Sequence, residues 1–139
     1  MDDPFALQRF VDAQDPVYAQ VCAELRAGAK ASHWMWFVFP QLAALGRSAT
    51  AKFYGLADVA EAAVYLGHPL LGPRLEEISA AMLAHRGRAA EAILGPVDAL
   101  KLRSSMTLFD RVPGASPVFA AVLDGFFAGR RCPTTLAAP

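Results

Sequence analysis

Little in this sequence is charged, and its charge has no dominant sign. Acidic and basic residues number 13 each in 139 residues, so the formal net charge is zero, and charged residues make up only 19% of the chain. That balance offers no polycationic face to a nucleic-acid backbone or an anionic membrane, and neither is expected as a partner. Arg86, Arg88, Arg130 and Arg131 form no stripe with interleaved aromatics. Cysteine is scarce too, since Cys22 and Cys132 stand most of the chain apart. The start, Met1-Asp2-Asp3-Pro4, has no basic region leading into an apolar run, so no export signal is supported and both thiols read as reduced in a cytoplasm. Cys22 falls on an apolar helical stripe, and Cys132, beside Arg130 and Arg131, reads as an incidental tail residue. The stretch poorest in charge, Trp34 to Pro40, is far too short to span a bilayer. His33, His68 and His85 show no ligand spacing, so no metal is expected. No glycine-rich phosphate loop or dinucleotide fingerprint is present, so no cofactor is expected. A sustained period-two pattern is also missing, which argues against a sheet.

What is present is apolar mass in helical rhythm. The apolar fraction is 55%, enough to fill the core of one domain. Asp3-Pro4, Asp15-Pro16 and Ser116-Pro117 each place a capping residue before a proline suited to a first helical turn. A short first helix turns Leu7, Phe10 and Val11 inward. Val17, Tyr18, Val21, Cys22 and Leu25 then form a stripe that Gly28 can end. Asp58 caps another helix that Gly67 stops, and a further helix runs from Pro73 to Gly87 with Leu75, Ile78 and Met82 on one face. Arg88 to Leu94 forms a short helix closed by Gly95-Pro96. Asp98 caps one reaching Arg111, and the last carries Phe119, Val122, Leu123, Phe126 and Phe127. The expectation is an all-α, compact single-domain bundle over residues 1–139, with about six or seven helices and a loosely held tail after Arg131.

The concentration of aromatic residues is the most informative feature. Ser32-His33-Trp34-Met35-Trp36-Phe37-Val38-Phe39-Pro40-Gln41 holds both tryptophans and two of the nine phenylalanines. Aromatic faces beside a few polar atoms suit the wall of a ligand pocket. A second unusual block, Asp98 to Phe109, puts Asp98, Lys101 and Ser105 on one helical face beside Ser104. His33 could serve as general base, or as a capping or core histidine. Lys101 could activate Ser105 or hold an anion, although the Ser-x-x-Lys order of serine–lysine acyl enzymes is reversed; alternatively Asp98–Lys101 is a helix pair and the serines mark a close helix crossing. In His68-Pro69-Leu70-Leu71-Gly72-Pro73-Arg74 a helix start could hold an anion with Arg74, but a plain turn, with His68 closing the preceding helix, is the better reading.

These blocks, together with Leu45-Gly46-Arg47-Ser48, Tyr65 to Leu75 and Asp98 to Phe109, resemble a bacterial family of uncharacterised proteins that automatic labelling often calls calpastatin. The resemblance spans about Phe5 to Arg130. It implies a mainly α-helical single domain and assigns no activity, so no catalytic residue is carried over from it.

The functional expectation is therefore a pocket between the aromatic segment and the helix from Asp98. Ser32, Trp34, Trp36, Phe37, Gln41 and Ser104 would contact a small, flat, anionic and nucleotide-like ligand. His33, Lys101 and Ser105 would carry any hydrolysis or group transfer. The alternative is a non-catalytic interaction module whose Trp/Phe segment docks a partner chain or a second copy, and self-association is left open.

Overall fold

Side chains of Asp3, Ser48, Asp58 and His68 set a few of the joints of this chain. The computed structural model describes residues 3–138; Met1 and Asp2 of the acidic start, and Pro139, lie outside the described residues. In chain order the helices are α1 (Gln8–Gln14), α2 (Tyr18–Ala27), α3 (Met35–Val38), α4 (Ala49–Phe53), α5 (Val59–Gly67), α6 (Leu71–Leu83), α7 (Ala90–Leu94), α8 (Pro96–Asp110), α9 (Val118–Phe127) and α10 (Pro133–Ala137). A 3₁₀ turn covers Ala43–Leu45. The described residues contain no strand, only isolated bridges pairing Leu42 with Leu56 and Arg86 with Arg88. The fold is all-α, as the periodicity predicts. The helices beyond the expected number are single turns of four or five residues, too short to show a period in sequence.

Asp58 accepts from the Glu61 amide at 2.9 Å and starts α5. Asp3 accepts from the amides of Leu7 at 2.8 Å and Gln8 at 2.9 Å, delivering the chain into α1. Other joints differ from expectation. Pro4 lies ahead of α1, which starts at Gln8; Val17 rather than Asp15 precedes α2 and offers no side-chain cap, while Asp15 pairs with Arg74; and α6 starts at Leu71, ahead of Pro73, and ends at Leu83, ahead of Gly87. His68 does not merely close α5: its Nδ1 accepts from the amides of Leu70 at 3.1 Å and Leu71 at 3.2 Å, so the ring also caps the start of α6. And α8 begins at Pro96, whose missing N–H costs nothing in a first turn, which places Asp98 inside the helix rather than at its cap.

The core centres on α8, which packs against α5, α7, α9 and α10, while α6 packs against α2, α5 and α9. Every residue from Ser104 to Phe109 is buried. Tyr65 meets Phe10 edge-on at 5.1 Å and Phe109 at 5.3 Å between ring centroids. Such buried side chains each contribute roughly 1.5–3 kcal/mol of transfer free energy. The stretch after Arg131 packs back onto α8. Arg111 donates to the carbonyls of Thr135 at 2.7 Å and Ala138 at 2.6 Å, and Thr135 of α10 and Cys132 at its start are buried. Cys132 is thus part of the core and not an incidental tail thiol.

Helix α9 ends on Ala128 at φ 53°, a left-handed conformation in which a side chain is strained. Ala128→Gly is expected to raise the unfolding free energy by about 0.5–1 kcal/mol, the relief of strain exceeding the extra entropy of glycine in the unfolded chain. Urea denaturation measures it; a midpoint equal to or below the parent's contradicts the assignment of strain.

Candidate functional site

The aromatic segment is set in place by a carboxylate. Glu24 lies on α2 one turn after Val21, inside the apolar stripe, and is only 5% exposed. It accepts hydrogen bonds from the amides of Ala31 at 2.7 Å and Ser32 at 3.0 Å, from Trp34 Nε1 at 3.0 Å, from Gln20 Nε2 at 2.9 Å and from the Ser32 hydroxyl. Burial alone would push its pKa up. The hydrogen bonds, led by those from Ser32 and Ala31, outweigh burial and hold the carboxyl well below the usual carboxylate range. The loop after Gly28 is thereby wrapped around a fixed anion, and Trp34 is driven inward to 1% exposure.

One helical turn, α3, follows. Trp34 precedes this turn in a non-helical conformation and is buried, whereas Trp36 lies within it and is half-exposed. Phe39 ends the turn in a non-helical conformation ahead of Pro40, the geometry that a following proline imposes. Phe37 packs on Tyr54 at 5.3 Å, and its carbonyl accepts from Gln14 Nε2 at 2.7 Å.

Trp36 opens onto a groove between the 42–48 turn and the first half of α8. Two contiguous depressions of about 290 and 550 Å³ share Gln41, Leu45, Arg47, Val97 and Lys101. Trp36 and Ser48 lie at one end, Leu100 and Ser104 at the other. Lys101 Nζ stands 5.1 Å from the Trp36 ring centroid and 3.6 Å from Asp98 Oδ1. The other oxygen of Asp98 is held by Lys30 Nζ at 2.9 Å, and that ammonium lies 5.0 Å from the Trp34 ring centroid. Lys30 and Lys101 thus share the single carboxylate Asp98, and Arg47 adds a further positive charge to the groove wall that Lys101 also lines. Among the described residues Arg47 makes no ion pair.

Of the residues singled out from sequence, Trp36, Gln41, Lys101 and Ser104 come together here. Ser32 is committed to Glu24, Trp34 to the core and Phe37 to Tyr54. The proposed catalytic set does not assemble. His33 is exposed and lines neither depression, while Ser105 is fully buried, because α8 sinks beneath α5 and α9 one turn after Lys101. The Ser104 hydroxyl donates back to the Leu100 carbonyl at 3.2 Å. Arg74 pairs with Asp15 at 2.9 Å and lies 4.6 Å from the Tyr18 ring centroid, so the α6 start holds no anion site of the kind considered. Sequence reasoning missed Glu24, Lys30 and Arg47. For Glu24 a signal existed, an acidic residue at an inward position of the α2 stripe. Lys30 and Arg47 sit in loops with no period to read.

Among the described residues no three His, Cys, Asp or Glu side chains gather as a metal site, and no helix is long and apolar enough to cross a membrane.

The chain is similar to a solved structure, the conserved hypothetical protein Rv1873 from Mycobacterium tuberculosis, at 52% identity and a TM-score of 0.94, over 97% of this chain and 96% of that one. A family model described as a protein of unknown function, DUF1810, matches residues 4–138. No curated protein matches.

Proposed function

The chain belongs to the DUF1810 family of proteins of unknown function, and from the groove itself we propose that it binds a small, flat, anionic molecule such as a nucleotide, without transforming it. The carrying observation is the uncompensated charge beside an aromatic face. Asp98 is already neutralised by Lys30, so the Lys101 ammonium, at a loose 3.6 Å, is available to an incoming anion. Arg47 adds a planar guanidinium suited to phosphate or carboxylate. Trp36 offers a ring for stacking, and Gln41 and Ser104 offer polar atoms that could orient it. Hydrolysis or transfer has less support. No lining residue is a histidine, cysteine or carboxylate, and the one remaining candidate base, Lys101, has its intended serine, Ser105, buried outside the groove. The aromatic segment as an interaction module is also the weaker reading, because Trp34 and Phe39 are buried and Phe37 is half-buried.

The test is titration of tryptophan fluorescence and melting temperature with nucleoside mono-, di- and triphosphates and with aromatic carboxylates. At least one is expected to bind, more weakly as salt rises. Lys101→Glu should then weaken it by roughly 10–100-fold, the equivalent of a charge-assisted hydrogen bond of about 1.5–3 kcal/mol. If no ligand up to millimolar concentration moves either signal, the reading is wrong.

A further inference from the structure

Across Leu100 from the groove lies a separate cleft of about 380 Å³ that the ligand reading does not use. It runs between α8 and the C-terminal end of α9, with Phe126 and Phe127 half-buried in it, Arg103 and Arg130 among its lining residues and Glu91 contributed by α7. Leu100 forms the ridge between groove and cleft and is 61% exposed, and Val97, 65% exposed, continues the apolar ridge one turn earlier. Among the described residues neither Arg103 nor Arg130 makes an ion pair, so two guanidiniums face one carboxylate. An open cleft with so exposed an aliphatic wall would leave much of a small molecule in water. Phenylalanine and leucine at the centre with arginine at the edge is instead the anatomy of a protein interface.

We infer that this cleft docks an acidic segment of another protein, with an aliphatic or aromatic side chain over Leu100 and Phe126 and carboxylates on Arg103 and Arg130. Charge complementarity selects the occupant. Guanidiniums without internal partners take carboxylates in bidentate geometry, and the apolar ridge between groove and cleft requires an apolar residue beside those acids. The surface is separate from the Trp36 groove except for the shared Leu100 wall.

The experiment uses a capped, fluorescein-labelled decapeptide of alternating Glu and Leu, with Lys-Leu and all-Glu decapeptides and a thymidylate decanucleotide as comparisons, followed by anisotropy. The Glu-Leu peptide is expected to bind at least tenfold tighter than the Lys-Leu and all-Glu peptides, and any binding of the oligonucleotide should depend on Arg47 rather than on Arg103 and Arg130. Arg103→Glu combined with Arg130→Glu should weaken it at least tenfold and improve binding of the Lys-Leu peptide, whereas Arg47→Glu in the groove should change it less than twofold. Should the double variant fail to fold, Leu100→Ser, at a mostly exposed position, should cost the Glu-Leu peptide at least fivefold. Nucleotide titration of the double variant reports on the Trp36 groove independently, so failure of one reading is distinguishable from failure of the other. The inference is overturned if the Glu-Leu peptide is not preferred over the other peptides, if the oligonucleotide binds tighter and loses that binding in the arginine double variant, if Arg47→Glu is as harmful to the peptide as the arginine pair, or if these arginines instead govern self-association by analytical ultracentrifugation.

Discussion

Glu24→Ala is expected to lower the unfolding free energy by about 3–5 kcal/mol, as it removes the shared acceptor of a buried cluster of donors. The amides of Ala31 and Ser32 and the indole N–H of Trp34 all point at this carboxylate. Each buried donor left without a partner costs about 1–3 kcal/mol, offset in part by water entering the vacated space. Glu24→Gln keeps one acceptor oxygen but turns an amide toward existing donors, so a smaller loss of about 1–2 kcal/mol is expected. The pH dependence has a definite sign. Burial opposes the charge on Glu24, yet the hydrogen bonds prevail, so the folded pKa lies below the ordinary 4.5. A depressed carboxyl stabilises the fold fully above its unfolded pKa and loses that contribution as pH falls from about 4.5 through the folded value. The deficit of Glu24→Ala relative to the parent should therefore be constant from pH 6 to 8 and narrow below pH 4.5. Urea midpoints across pH 3–8 measure both effects. A deficit under 1 kcal/mol at pH 7, or one that widens on acidification, would show that the cluster does not depend on the charge.

The fold was legible because helices are local objects. Asp58 and Gly28 do what their chemistry predicts at helix ends, whereas Gly67 closes α5 without a left-handed turn, and Leu102, Met106 and Phe109 of α8 are buried together. Capping was less legible where the partner is unusual, as with the imidazole of His68, since a histidine near a helix boundary can act as cation or as acceptor. Half of the candidate site was legible for a related reason. Trp36, Gln41, Lys101 and Ser104 stood out as polar or aromatic residues in unusual blocks, and the fold brings those blocks together. Periodicity does not report depth along a helix, so Lys101 and Ser105 read as neighbours on one face although α8 is half-exposed at the first and submerged at the second. Glu24 and Lys30 gain their meaning from tertiary partners, Trp34 for both and Asp98 for the lysine, that no helical spacing pairs with them.

The two tryptophans should separate stability from binding, although only Met35 lies between them. Trp34→Ala is expected to cost about 3–5 kcal/mol, the range for truncating a large buried aromatic, because its ring is 1% exposed and packs near Phe39 at 6.3 Å. It also removes a donor to Glu24 and the ring beneath Lys30. Trp36 is half-buried at the groove, and its one charged neighbour over the ring, Lys101, contributes about 0.5–1 kcal/mol at such an exposed site. Trp36→Ala should accordingly cost no more than about 1–2 kcal/mol of stability, while weakening any ligand that stacks on the ring by roughly tenfold or more, the equivalent of about 1–3 kcal/mol of stacking. Trp36→Phe should recover part of that affinity, and Trp34→Phe should leave it within twofold once the protein is folded. Chemical denaturation and ligand titration of the same four variants decide the matter. Equal destabilisation by the two alanine variants would make Trp36 a core residue and the groove a surface irregularity. A ligand that binds Trp36→Ala as tightly as the parent would remove the aromatic face from the site and leave recognition to Arg47 and Lys101 alone.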